Sequence, residues 1–96
     1  MTPIAIDGTT WEVAIDPDWP GFAGHFPGNP LVPAAELIAL AMEACGRGRA
    51  DLVQARFHRP VRPGEVLRIL GQGGGGAILE VAGQRVADLR WASQPG

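Results

Sequence analysis

The chain lacks lysine, contains a single cysteine and has no long apolar run. Its eight basic residues, all arginines, face ten acidic residues, so the net charge is -2 and a general attraction to nucleic acid or anionic membranes is not expected. Because Cys45 stands alone, an intrachain disulfide and a cysteine-based metal cluster are excluded. No run approaches the roughly 20 apolar residues that span a bilayer, and no basic stretch followed by an apolar core opens the chain. We expect a soluble, cytoplasmic protein.

The length suits one domain over residues 1–96, with a sparse charged surface. Hydrophobic residues make up 46% of the chain and charged residues 19%. A chain this short buries only about two thirds of its surface on folding, so contact with a partner adds to a limited core. We therefore expect a single domain that associates with another subunit.

One helix is predicted over residues 34–45, which contain no glycine or proline. Apolar residues surround most of its circumference, which indicates a largely buried helix. Gly46 or Gly48 is expected to end it.

The rest of the pattern is strand-like. Trp11, Val13 and Ile15 alternate with polar or small residues, which predicts a strand over residues 9–15. Four further strands are predicted after the helix, at residues 52–58, 66–70, 77–81 and 84–91. This order predicts an α+β fold in which an antiparallel sheet of about five strands wraps around one central helix.

A stiff loop precedes the predicted helix. Residues 24–33 read Gly-His-Phe-Pro-Gly-Asn-Pro-Leu-Val-Pro, so three prolines fix φ while two glycines permit turns or close backbone approach. Pro33 suits the first helical turn, where backbone N–H groups have no intrahelical partner. The loop is therefore predicted to present His25 beside a helix N-terminus.

The string His-Phe-Pro-Gly-Asn-Pro-Leu-Val-Pro within residues 22–33 is followed, at residues 55–65, by a block ending in Arg-Pro-Gly-Glu. Together these blocks resemble the hotdog-fold 3-hydroxyacyl-(acyl carrier protein) dehydratases, including small members of the FabZ, FabA and ApeI type. The resemblance implies a hotdog fold over nearly the whole chain. It also implies action on acyl thioesters in fatty-acid-like or specialised acyl-chain biosynthesis, at a site shared by two subunits of a homodimer or heterodimer.

The resemblance assigns a role to His25. In that family a histidine removes the C2 proton of a 3-hydroxyacyl thioester, and an acid on the partner subunit's central helix assists departure of the hydroxyl. Backbone N–H groups at the helix start polarise the thioester carbonyl, where enolate charge develops. The residues that the resemblance places around the substrate are Phe22, Gly24, Phe26, Gly28, Pro33 and Ala34.

The chain departs from the family pattern at two positions. Ala34 replaces a glycine, which preserves the backbone N–H, and Ala39 stands where alignment from His25 places the helix acid. At about 100° per residue, Glu36 and Glu43 lie about 60° and 40° around the helix from Ala39. Either is a candidate replacement acid, and both also fit structural roles; Glu36 lies in the first turn, where an acid favours the helix dipole.

Three functions remain open from the sequence. The first is a dehydratase-like lyase with His25 as base and Glu36, Glu43 or water in place of the acid. The second is a non-catalytic subunit that binds an acyl chain or carrier protein, including as the partner of an active paralogue. The third is thioester hydrolysis using Glu36 or Glu43. His25 also fits a purely conformational role, and Phe22 and Phe26 fit either an acyl site or plain packing.

The arginines concentrate in the centre of the chain, with six of the eight between residues 47 and 68. Arginine suits bidentate recognition of phosphate and carboxylate. Arg56, Arg59 and Arg62 are candidate contacts for an acidic carrier protein that delivers the acyl group, with a solvated basic face as the alternative. His58 is predicted to be a surface residue. We expect no cofactor and no metal site.

Overall fold

The protein is an antiparallel sheet with an α-helix across its inner face. The computed structural model describes residues 1–23, 28–48 and 51–92. In chain order its elements are β1 (Ile4–Ala5), β2 (Thr10–Ala14), α1 (Ala34–Cys45), β3 (Leu52–Phe57), β4 (Val66–Gly71), β5 (Gly76–Val81) and β6 (Gln84–Trp91). The strand order is β1-β2-β4-β5-β6-β3, and all neighbouring pairs are antiparallel. The predicted α+β architecture is confirmed.

Helix α1 has the predicted bounds. It begins directly after Pro33, which stands at the N-cap rather than inside the first turn, and it ends at Gly46, which adopts a left-handed conformation with φ 67°. The N–H of Arg47 then donates to the carbonyl of Met42 at 2.9 Å, which satisfies one of the last helical carbonyls. No helix in the described parts of the chain is long and apolar enough to cross a membrane.

The core lies between α1 and the middle of the sheet. On the helix the residues facing the sheet, Leu37, Leu40 and Ala41, are at most 2% exposed. They belong to one apolar cluster with residues of β4 and β5 such as Leu67 and Leu79, both fully buried. Each fully buried leucine contributes on the order of 1.5–3 kcal/mol. The opposite face of α1 remains uncovered by the described residues.

The structure contains six strands among the described residues, where the sequence predicts about five. The additional strand is β1, whose two residues pair with Glu12 and Trp11 of β2. Two residues are too few to show an alternating pattern, so sequence periodicity does not reveal this strand. The other strands begin and end within two residues of their predicted bounds.

A run of four glycines connects β4 to β5, and one of its carbonyls accepts two side-chain hydrogen bonds. The indole N–H of Trp91 and the guanidinium of Arg47 both donate to the carbonyl of Gly74, at 2.9 and 2.6 Å. The guanidinium also lies 5.7 Å from the centre of the Trp91 ring. These contacts hold the end of α1 against the turn and against β6.

Gly76 at the start of β5 is predicted to tolerate no side chain. A Cβ there would press against the backbone carbonyl of Leu89 on the paired strand, which cannot move without distorting the sheet. We expect Gly76→Ala to lower the free energy of unfolding by about 1–3 kcal/mol in urea titrations. Gly75→Ala is the matched control, since the nearest heavy atom to its Cβ is 3.8 Å away. Equal stability of the two variants would contradict the close approach.

Candidate active site

The loop before α1 is fixed at both of its described ends. Phe22, in a short 3₁₀ turn, is half-buried and packs edge-to-face on Trp19, with ring centroids 5.0 Å apart. At the other end the N–H of Val32 donates to the carbonyl of Val61 at 2.8 Å. Gly28 is exposed, with φ 81°.

Three residues of the predicted site, Gly24, His25 and Phe26, lie outside the described residues. Their proposed roles as base and substrate contacts therefore remain predictions from the sequence. The structure describes the 3₁₀ turn that precedes them in the chain and the helix that follows.

The start of α1 carries free backbone donors. Pro33 provides no side-chain cap, and its carbonyl accepts hydrogen bonds from the N–H groups of Glu36 and Leu37. The N–H groups of Ala34 and Ala35 have no acceptor among the described residues. Together with the partial positive charge of the helix N-terminus, these two donors suit an oxygen that acquires negative charge.

An apolar groove of about 280 Å³ joins this helix start to the end of β3. Phe57, the last residue of β3, is 40% exposed and forms part of its wall. The lining residues are Val32, Ala34, Leu37, Phe57, Arg59 and Pro60. The sequence prediction places Ala34 at the site but omits Phe57. Phe57 belongs to residues 55–65, the second of the two sequence blocks that carry the family resemblance.

A second, narrower groove of about 180 Å³ runs along the uncovered face of α1. Its lining includes Ala39, where the family acid is expected, together with Glu43 and Arg47. Ala39 and Glu43 are both exposed, whereas Glu36 is half-buried in the first turn and does not line this groove. The structure thus brings Glu43 next to Ala39, and it does not bring Glu36 there.

The three arginines proposed as carrier contacts differ in their surroundings. Arg59 forms an ion pair with Glu65 at 2.6 Å, and its side chain is only 21% exposed. Arg62 is exposed, and its backbone N–H donates to the same carboxylate at 2.7 Å. Arg56 is exposed on β3. Arg59 therefore has a structural role in the β3–β4 connection, whereas Arg56 and Arg62 remain available to a partner.

Two other titratable residues do not line either groove. His58 is a surface residue, as predicted, with its Nε2 2.6 Å from the Asp88 carboxylate. Cys45 is half-buried, and burial raises the pKa of its thiol despite the charge of Arg47. A thiol in this protonated state is a poor nucleophile, which agrees with a packing role for Cys45.

Fold and site together define the class of this protein. An antiparallel sheet wraps a central helix, as in hotdog-fold proteins, and an apolar groove meets uncapped N–H groups at the helix start. A family model described as ApeI-like, ApeI dehydratase, matches residues 5–72. Because this match covers more than half of the chain, the protein belongs to the ApeI-like dehydratase family.

Curated relatives are dehydratases named FabZ. The 3-hydroxyacyl-(acyl-carrier-protein) dehydratase FabZ of Bartonella bacilliformis is 36% identical, with 69% of this chain and 54% of the relative covered. FabZ of Acetivibrio thermocellus is 32% identical, with 72% of this chain and 62% of the relative covered. The chain therefore spans about half the length of the curated relatives that it matches.

Among solved structures, the dehydratase heterocomplex ApeI:P from Xenorhabdus doucetiae has a similar fold. The TM-score is 0.72 at 21% sequence identity, over 95% of this chain and 96% of that chain. This likeness confirms the hotdog fold that the sequence predicts.

The Arg59–Glu65 pair predicts how stability depends on pH. Burial alone raises the pKa of Glu65, but the hydrogen bond from the Arg62 N–H and the hydrogen bond and charge of Arg59 outweigh it, so this pKa is lowered. A lowered pKa stabilises the fold above the unfolded-state value, about 4.3 for glutamate, and the effect disappears as pH falls through the folded-state pKa.

We therefore expect Glu65→Gln to lower the free energy of unfolding by about 1 kcal/mol at pH 7, with a smaller difference from wild type below pH about 4. Urea unfolding at a series of pH values measures this difference. A difference that stays constant down to acid pH would show that the charge of Glu65 contributes nothing.

Proposed function

We propose that this protein is a dehydratase-like hotdog subunit that acts on 3-hydroxyacyl thioesters in fatty-acid-like or specialised acyl-chain biosynthesis. The thioester is linked to acyl carrier protein or to coenzyme A. The observation that carries the proposal is the family match over residues 5–72, which include the His25 loop, α1 and β3. The names of the curated relatives, 3-hydroxyacyl-(acyl-carrier-protein) dehydratases, support the substrate class.

The reaction assigned to the site is an elimination of water with His25 as base. His25 takes the C2 proton, the electrons of the C2–H bond form the C2=C3 double bond, and the C3–O bond breaks. The departing hydroxide receives a proton from an acid and leaves as water. The N–H groups of Ala34 and Ala35 suit the thioester oxygen while enolate charge develops. The groove beside Leu37 and Phe57 suits the apolar part of the substrate near the thioester.

The acid has one internal candidate. Glu43 lines the same groove as Ala39, about one helical turn away, whereas Glu36 does not. We assign the acid of the isolated chain to Glu43. Glu43 is exposed, so its carboxyl group is accessible from solvent and from a second subunit.

A second candidate function is a subunit whose site is completed by another chain. The observation that favours it is the exposed methyl group of Ala39 in place of the family acid. The heterocomplex of the ApeI:P structure supports the idea that hotdog subunits of this kind pair with a different subunit. Here His25 still acts as base, and the partner subunit supplies the carboxylate.

The role of His25 is tested by exchanging each of the two histidines. We expect His25→Ala to lower kcat/KM for hydration of an enoyl thioester by about 100-fold or more, with an unchanged Tm, because the substitution removes the proposed base. His58→Gln is the control, since its imidazole pairs with Asp88 on the sheet. Equal turnover of wild type and His25→Ala would refute the proposed base. Release of free thiol without hydration would favour thioester hydrolysis instead.

The source of the acid is tested by a matched pair on α1. If Glu43 is the acid, Glu43→Gln lowers kcat/KM about 10-fold or more, while Glu36→Gln leaves it within about twofold. Ala39→Glu then gives little further gain. If the acid belongs to a partner, both glutamine variants behave as wild type and Ala39→Glu raises the activity of the isolated chain. Ala39 is exposed, so this larger side chain is accommodated without repacking the core.

A further inference from the structure

Strand β3 forms one edge of the sheet. It pairs with β6 on one side, and within the described residues no strand pairs with its other side. The backbone N–H and C=O groups on that side are available to a strand from another chain. Two apolar side chains on this strand, Val53 and Phe57, are 58% and 40% exposed. The edge therefore has the backbone and the apolar surface that strand addition requires.

The outer face of the sheet is basic beside this edge. A shallow depression of about 380 Å³ there is lined by Gln54, Arg56, Arg85, Asp88, Leu89 and Arg90. Across the two strands, Arg56 is in register with Asp88, and Gln54 is in register with Arg90. Three arginines thus surround a single carboxylate.

Both oxygens of that carboxylate are already engaged. Asp88 Oδ2 lies 2.6 Å from the His58 imidazole, and Oδ1 lies 3.1 Å from the Arg85 guanidinium. Arg56 and Arg90 form no ion pair with any residue that the structure describes. We call these two residues the edge arginines.

The excess charge is confined to this edge. Towards the opposite side of the sheet, Arg68 forms an ion pair with Glu12 at 2.9 Å and stands in register with Glu80. Glu80 is in turn in register with Arg85. Positive and negative side chains alternate across these strands. Among the described residues, the outer face of the sheet therefore carries unpaired positive charge only near the free edge of β3.

We propose that the edge arginines select the subunit that pairs with β3, disfavouring a second copy of this chain and favouring a different hotdog-type subunit with carboxylates on its edge strand. Two identical strands that pair antiparallel are related by a twofold axis, so the same arginines approach from both sides. A pairing centred on Ala55 places the two Arg56 residues on a diagonal about 7–8 Å apart, within the screening length at physiological salt. Carboxylates at the facing positions of a different subunit convert this repulsion into attraction.

This inference deepens the second candidate function and rests on it for the nature of the partner. It is separable from catalysis, because association is measured without substrate. Loss of activity in a His25 variant would therefore leave the inference unaffected, and a failure of strand selection would leave the base assignment unaffected.

The test uses only this chain. Wild type, the double variant Arg56→Glu/Arg90→Glu and their equimolar mixture are compared by sedimentation and native mass spectrometry. We expect the mixed dimer to form with a dissociation constant at least about 10-fold lower than that of either self-dimer, because arginines on one subunit then approach glutamates, rather than arginines, on the other. Raising the salt to about 0.5 M should reduce this advantage, since the charges are exposed. A mixed dimer no tighter than the self-dimers would overturn the proposal.

Two further variants keep the test independent of folding defects. The neutral pair Arg56→Gln/Arg90→Gln removes repulsion without adding charge, so its self-dimer should be tighter than that of wild type. Arg62→Glu reverses an exposed arginine of the β3–β4 connection and should give no preference for mixing with wild type. If instead the double charge reversal abolishes binding of acyl carrier protein while mixing gives no advantage, the edge arginines bind the carrier and the proposal is wrong.

Discussion

The central constraint on this molecule is that one helix must cover the inner face of a six-stranded sheet. Leu37, Leu40 and Ala41 fulfil this by packing into the sheet cluster with almost no exposure. Since three core positions of α1 are committed to the sheet, its opposite face is left to solvent or to another subunit. The composition of that opposite face, with Ala39 and Glu43, is therefore free to change without loss of the core.

The same constraint fixes the position of the site. At its start, α1 is held by the hydrogen bond between Val32 and Val61. At its end, Arg47 reaches the carbonyl of Gly74 and lies over the Trp91 ring. A helix attached to the sheet at both ends presents its first-turn N–H groups in a constant position, which electrostatic stabilisation of a developing charge requires. The contacts that stabilise the fold are thus also those that orient the proposed oxygen-binding groups.

The elements were predictable from the sequence because each has a local signal. Pro33 and Gly46 bracket twelve residues without a helix breaker, and alternation identifies every strand except the two-residue β1. The groove was not predictable, because Ala34 and Phe57 are far apart in sequence and meet only through the packing of α1 on the sheet. Similarly, the contact of the Arg47 guanidinium with a glycine 27 residues further along the chain has no signal in the sequence.

For the site, sequence reasoning named candidate residues but could not rank them. Helical angles place both Glu36 and Glu43 within about 60° of Ala39, and only the packed structure determines that Glu43 shares the groove. Arg59 belonged to a basic cluster in the sequence, but its partner is Glu65, six residues away across a turn. In both cases the outcome depends on which side chains the neighbouring elements bury and which charges they pair. The order of residues in the sequence does not contain that information.

A carboxylate group is missing at two separate places in this domain. The helix lacks a carboxylate at Ala39, and the edge arginines, one on β3 and one on β6, lack ion-pair partners within the described residues. Without an acid at position 39, proton transfer to the departing hydroxide would be slower. The like charges of the edge arginines would weaken self-association. A homodimer repeats both deficits by symmetry, whereas a partner richer in carboxylates on its helix and edge strand corrects both at once. In the second candidate function, the source of the acid and the choice of subunit therefore both depend on the identity of the second chain.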